Sequence, residues 1–226
     1  MGRPRRVMPG GWCYHVLSRG NGRQEVFHKP GDYEAFVRLF DAAQNIVPIR
    51  VLAYCLMPNH FHLVLWPLGD GDVSRWVQWV LTTHVHRYHE HYHSSGHVWQ
   101  GRFKSFPIQE DDHLLTVLRY TERNALRAGL VTDARLWPYS SLGRQPSIAG
   151  PERPAWYDAG PVPRGRDWLG YVNEPQTEGE LYSLRKCLQR GIPFGESIWQ
   201  ERTIAELGLE GSLRPRGRPK KLRKEA

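Results

Sequence analysis

Two adjoining β-type runs limit the fold more than any other feature of this chain. IRVLAYCLM (49–57) and HFHLVLW (60–66) are rich in branched and aromatic residues, and MPN between them supplies a turn, so the pair reads as a hairpin. Side chains alternate along a strand. His60, His62, Val64 and Trp66 therefore share one face of the second run, and Phe61, Leu63 and Leu65 share the other. The second of these faces is a core surface. The first presents two imidazoles together to whatever packs there.

The remaining periodicities place this hairpin inside a larger unit. WCYHVLS (12–18) alternates as a strand, and GNG (20–22) marks a turn. Asp32 is suited to cap a helix in which Phe36, Leu39, Phe40 and Ala43 recur, and Pro48 closes that segment. From Asp72 to about Tyr92, Val73, Trp76, Val77, Val80 and Leu81 form one stripe, extended by Val85 and Tyr88. GHVWQGRFKSFPI reads as a loop entering a strand over 104–108. A helix follows in DDHLLTVLRYTERNALRAGL, with Asp111 or Asp112 as N-cap and Gly129 as its stop. The order β-α-β-β-α-β-α predicts an α+β, ferredoxin-like split βαβ unit. It implies an antiparallel sheet, helices on one face, and one additional helix. Beyond about residue 145, QPSIAGPERPAWYDAGPVPRGR is rich in proline and glycine. The expected organisation is a domain over 1–145, a linker over 146–177, and a helical extension with a basic tail over 178–226.

No apolar run approaches the roughly 18 residues that a membrane span needs, and MGRPRRVMPGG lacks the apolar centre of a secretory signal, so a cytoplasmic protein is expected. Cys13, Cys55 and Cys187 are few and far apart, which argues against a disulfide framework. The formal net charge is +8, with RPRR near the start and RPRGRPKKLRK near the end. An acidic polymer, nucleic acid first, is the natural partner.

Candidate chemistry gathers on the helix from Asp112 to Ala128. Leu114, Val117, Leu118, Thr121, Ala125 and Ala128 form an apolar arc, with His113, Tyr120 and Asn124 along one edge at about 100° per residue. If the arc packs on the sheet, Tyr120 and Asn124 can face His60 and His62. Two imidazoles and an amide oxygen suit a divalent cation such as Mg²⁺ or Mn²⁺ and leave positions for substrate oxygens. A cation there would act as a Lewis acid on a phosphate, with Tyr120 as nucleophile. Taken singly, each element also fits an ordinary structural role. The histidine-rich THVHRYHEHYHSSGH spreads its rings around a helix end without an acidic or cysteine partner, and reads as a solvated or DNA-facing surface.

WQGRFKS (99–105) has two readings: a core edge with solvated charge, or Trp99 and Phe103 stacking bases while Arg102 and Lys104 meet phosphates. Arg5, Arg6, Arg123 and Arg127 are further candidate DNA contacts. In PRGRPKK, Arg216, Arg218, Lys220 and Lys221 flank an RGRP core that can lie in the narrow minor groove of A·T-rich DNA. An ordinary basic tail is the alternative.

These residues resemble a known family. MPNHFHLVLWP is similar to the histidine–hydrophobe–histidine motif of the HUH-type single-strand transposases, and LRYTERNALRAGLV to their catalytic tyrosine helix. GHVWQGRFKS, WPYSS, RGIPFG and RGRPKK resemble more narrowly the REP-associated tyrosine transposases, relatives of insertion-sequence transposases tied to repetitive extragenic palindromes. The resemblance spans about residues 10–145 and extends more loosely beyond. It implies a bacterial, nucleoid-associated enzyme that binds and cuts single-stranded DNA hairpins. Tyr120 would attack the scissile phosphate to give a 5′-phosphotyrosine, with His60, His62 and Asn124 holding Mg²⁺ or Mn²⁺. Insertion-sequence relatives commonly carry glutamine where this chain has the shorter Asn124. The REP-associated branch tends to be monomeric with its C-terminal tail near the active site; the insertion-sequence branch forms dimers. A non-catalytic hairpin-binding protein is the alternative. A zinc deaminase is disfavoured because H-x-E and P-C-x-x-C are absent. With an ordinary histidine pKa near 6.5, cleavage would fade below about pH 6.

Overall fold

The computed structural model describes residues 6–144 and 153–214. Four strands, β1 (Cys13–Arg19), β2 (Ile49–Met57), β3 (His60–Pro67) and β4 (Lys104–Ile108), form one antiparallel sheet in the order β2-β3-β1-β4. α1 (Pro30–Gln44) and α2 (Asp72–Tyr92) provide the two crossovers. This is the predicted ferredoxin-like split βαβ arrangement. Pro58 and Asn59 are the two-residue turn of the β2–β3 hairpin, in which Met57 pairs with His60.

The alternation in β1 and β3 divides the molecule into two cores. On one face Tyr14, Val16, Phe61, Leu63 and Leu65 pack beneath Phe36, Phe40, Trp76 and Val80 of α1 and α2. Asp32 supports the start of α1 from inside its first turn, since its carboxylate accepts the N–H groups of His28 and Lys29 at 2.8 and 3.1 Å. On the other face Cys13, Leu17, Val64, Phe106 and Ile108 are covered by Leu114, Val117 and Leu118 of α3 (Asp112–Glu122). Asp111 is the N-cap, accepting from the His113 N–H at 2.8 Å. The expected single helix is broken after Glu122, and α4 (Asn124–Arg127) continues it. Gly129, at φ +71°, ends that segment in the left-handed conformation that glycine adopts without cost.

α1 and α2 share one face of the sheet, as the split βαβ unit implies, and the additional helical segment covers the other, because both faces of β1 and β3 carry apolar side chains that water would otherwise meet. One expectation needs correction: the described part of the expected linker or irregular loop, 153–177, is irregular over 153–167 but is anchored in both cores. Trp156 is fully buried in the first core, and the Val51 N–H donates to its carbonyl at 2.7 Å. α5 (Trp168–Asn173), α6 (Glu178–Arg190) and α7 (Ser197–Glu206) follow. Trp168, Val172, Leu181, Leu184 and Leu188 from α5 and α6 complete the second core. Among the described residues, no helix is long and apolar enough to cross a membrane.

Candidate active site

His60 and His62 open β3, and alternation turns both toward the face occupied by α3. Their rings lie 5.1 Å apart, centroid to centroid. The apolar arc of α3 presses onto that same face, which brings the Tyr120 ring edge-on to His62 at 5.6 Å. One turn on, Asn124 is buried beside them. His60, His62, Tyr120, Asn124 and Arg127 line one cavity of about 340 Å³, with Ser18, Arg19, Gln100, Arg102 and Lys104 contributing from the end of β1 and the approach to β4. Arg185, Leu188 and Gln189 of α6 close it from the extension.

Each imidazole is anchored through Nδ1. His60 Nδ1 meets Asn59 Oδ1 at 2.6 Å, and His62 Nδ1 meets Nε2 of His15 at 2.9 Å. Asn59 Oδ1 only accepts, so His60 carries its proton on Nδ1 and its Nε2 presents a lone pair. Burial, then Arg19 and Arg127, push the His60 pKa down to about 4. Burial first, then His15, His60, Arg127 and Arg19, hold His62 well below the usual imidazole value. Both are therefore neutral, the form in which imidazole binds a metal.

The guanidinium of Arg127 lies 4.1 Å above the centre of the Tyr120 ring, and its Nη2 donates to Asn124 Oδ1 at 3.0 Å. The Asn124 amide nitrogen is buried without a partner, so this side chain has unmet polar capacity inside the site. Among the described residues, no group of three or more histidine, cysteine, aspartate or glutamate side chains is arranged for a metal. The donor set offered here is two neutral imidazoles and, once Arg127 lets go, one amide oxygen. Such a set fits a divalent cation that takes its remaining ligands from substrate oxygens.

The other candidates divide sharply. Arg102 and Lys104 are exposed on the cavity wall, and Arg127 is inside it. Trp99 and Phe103 cannot stack a base. Trp99 is only 6% exposed, wedged against Phe27, Phe36, Phe61 and His84, and Phe103 is 8% exposed with the Arg6 guanidinium 4.2 Å above its ring. Both belong to the first core, where the area they bury outweighs any role at the surface. Arg6 donates to the Phe103 carbonyl and so clips the N-terminal segment to that loop. Arg123 donates to the carbonyls of Val172 and Asn173 at the end of α5, which turns it away from the cavity. His113 bonds the capping Asp111 and packs on Phe194, away from the cavity. Arg5, Arg216, Arg218, Lys220 and Lys221 lie outside the described residues. Sequence reasoning missed His15. The signal was present, because alternation in CYHVLSR places His15 with Cys13 and Leu17 on the face that His62 occupies.

Fold and site together define an α+β protein of the ferredoxin-like arrangement that sets a histidine–hydrophobe–histidine strand against a tyrosine helix. The model of the family described as "Transposase IS200 like" matches residues 11–124, and the chain belongs to that family. A putative REP-associated tyrosine transposase of Haemophilus influenzae is 29% identical over 108 residues, 43% of this chain and 61% of that protein. A REP-associated tyrosine transposase of Escherichia coli K12 is 22% identical over 143 residues, 62% of this chain and 81% of that protein. A solved REP-associated tyrosine transposase bound to a REP hairpin has the same fold, with a TM-score of 0.52 at 21% identity, covering 72% of this chain and 95% of that one.

Proposed function

We propose that this protein is a divalent-cation-dependent DNA strand transferase that cleaves and rejoins single-stranded DNA beside hairpins. One observation carries the reading. A tyrosine and two neutral histidines with anchored Nδ1 atoms share a cavity rimmed by Arg19, Arg102, Lys104, Arg127 and Arg185. The solved neighbour's hairpin supports the substrate class.

In this reading the basic rim holds the DNA backbone and steers the scissile phosphate toward Tyr120. Mg²⁺ or Mn²⁺, held by His60, His62 and Asn124, would supply Lewis-acid polarisation of the phosphate. The Tyr120 phenol releases its proton to solvent as its oxygen attacks phosphorus, and the bond to the 3′ oxygen breaks. The phosphate stays on Tyr120 as a 5′-phosphotyrosine, and the departing strand takes up a proton as a free 3′-hydroxyl. Rejoining reverses these steps and needs no nucleotide cofactor. Arg127, lying on the phenol ring, stabilises the charge that returns to the tyrosine oxygen. In this reading the working unit is a monomer, an assignment supported by one chain being able to supply His60, His62, Tyr120 and Asn124 to one cavity.

The test is incubation with single-stranded hairpin oligonucleotides from repetitive extragenic palindromes, with Mg²⁺, Mn²⁺ or EDTA, read on a denaturing gel. A metal-dependent covalent adduct that disappears in Tyr120→Phe is the expected result. Hairpin binding with no adduct under either metal would replace this reading with that of a non-catalytic hairpin-binding protein.

A further inference from the structure

His15 is wholly buried, has no place in the chemistry above, and is joined to the site by one side-chain hydrogen bond, between its Nε2 and Nδ1 of His62 at 2.9 Å. Its ring is not free to leave. Phe106 stacks against one face at 5.0 Å with 15° between the planes, and Tyr120 meets it edge-on at 6.3 Å. Its other nitrogen, Nδ1, is buried without a hydrogen-bond partner. A polar side chain walled in by aromatics, with half its hydrogen-bonding capacity unmet, costs stability and calls for an explanation.

The two rings can share one proton in two ways. If His15 donates, the proton of His62 must sit on Nε2, and that nitrogen is closed to a cation. If His15 accepts, His62 carries its proton on Nδ1 and turns a bare Nε2 lone pair into the cavity. His60 is already set in the second way by Asn59. We propose that His15 is a positioning residue that accepts from His62 Nδ1–H and thereby fixes His62 in the orientation and tautomer that bind a divalent cation. A histidine ligand ordinarily gives its second N–H to a carboxylate, a carbonyl or water. Here the acceptor is a buried neutral imidazole, which orients the ligand without adding negative charge.

The inference rests on the proposed metal site, and the experiment separates the two. Nitrogen-15 NMR of histidine-labelled protein, without metal, reads the tautomer directly, and a protonated Nδ1 with a bare Nε2 on His62 is expected. Mn²⁺ binding is then followed by electron paramagnetic resonance with a hairpin oligonucleotide present, in a Tyr120→Phe background so that no cleavage intervenes. His15→Phe removes the acceptor, and its Mn²⁺ affinity should fall about 10- to 100-fold, the usual loss for such a partner. His15→Gln can offer an amide oxygen where Nε2 stood and should retain most of the affinity. If His15→Phe does not fold, His15→Met replaces it. A protonated Nε2 on His62, undiminished Mn²⁺ binding without the acceptor, or equal loss in His15→Gln would each overturn the role of His15. Undiminished Mn²⁺ binding in His62→Ala would instead overturn the metal site itself.

Discussion

At the scale of the residue, side chains that look alike in WQGRFKS take opposite parts. Trp99 fills the space between Phe36, Phe61 and His84, so Trp99→Ala should cost about 3–5 kcal/mol of stability, measured by urea unfolding. Arg102 lines the cavity, and Arg102→Ala tests its part in DNA binding. It should weaken hairpin binding and lower the slope of log affinity against log salt by about 1. A slope unchanged in that variant would remove Arg102 from the DNA interface. The histidines also alter the expected pH response. His60 takes up its proton near 6.5 when unfolded but only near 4 when folded. The unfolded chain holds more protons between those values, so the part of the stability linked to His60 falls as pH drops through that window and is constant above it. Unfolding midpoints at pH 7.5, 5.5 and 4.5 should show this decline, smaller in His60→Asn. The same depression keeps the imidazoles neutral, so metal-dependent cleavage should persist to about pH 5, lower than an ordinary histidine predicts.

At the scale of the element, α3 does two jobs at once. Its inner arc seals the second core, while its edge delivers Tyr120 to the cavity. Its position is held by a buried polar knot just past the tyrosine. The Glu122 carboxylate accepts from Ser141 Oγ and Trp168 Nε1, both at 2.7 Å, and faces Arg164 at 3.9 Å. Arg164 also donates to the Leu52 carbonyl at 2.7 Å, so this knot joins helix, sheet and extension. Glu122→Ala would remove the carboxylate that faces the buried Arg164 charge and that accepts from Ser141 and Trp168, and should destabilise by about 3–5 kcal/mol in a denaturant titration. A loss under about 1 kcal/mol would show that the knot does not hold α3. None of this was legible in TERN, where Glu122 looks like a solvent-facing charge. Its partners lie 19 and 46 residues further along the chain.

At the scale of the whole molecule, the extension belongs to the fold. Leu181, Leu184 and Leu188 of α6 and Trp168 of α5 cover apolar residues of β4 and α3. A chain ending at residue 144 should therefore lose fixed tertiary packing, seen as loss of near-ultraviolet circular dichroism with much of the far-ultraviolet signal kept. A sharp two-state transition from that fragment would show that the first 144 residues are self-sufficient. If the working unit is a monomer, mixing His62→Ala with Tyr120→Phe should restore no adduct, because neither chain can lend the missing group. Recovered activity on the denaturing gel would point to exchange of the tyrosine helix between chains.

Local pattern alone was enough to determine the strands, the two crossover helices, the ferredoxin-like order and the facing of His60 and His62. Each of those follows from a period of two or of 3.6 along a short stretch. The resemblance to REP-associated tyrosine transposases also rested on short contiguous motifs, and the family match and relatives bear it out. Only the tertiary structure decided that Trp99 and Phe103 are core, that 153–177 is packed, and that α6 walls the cavity. It alone brought His15 against His62, across 47 residues of chain. Burial and hydrogen-bond partners depend on which distant segments meet. That is set by the free energy of covering both faces of the sheet, a quantity that no local window contains.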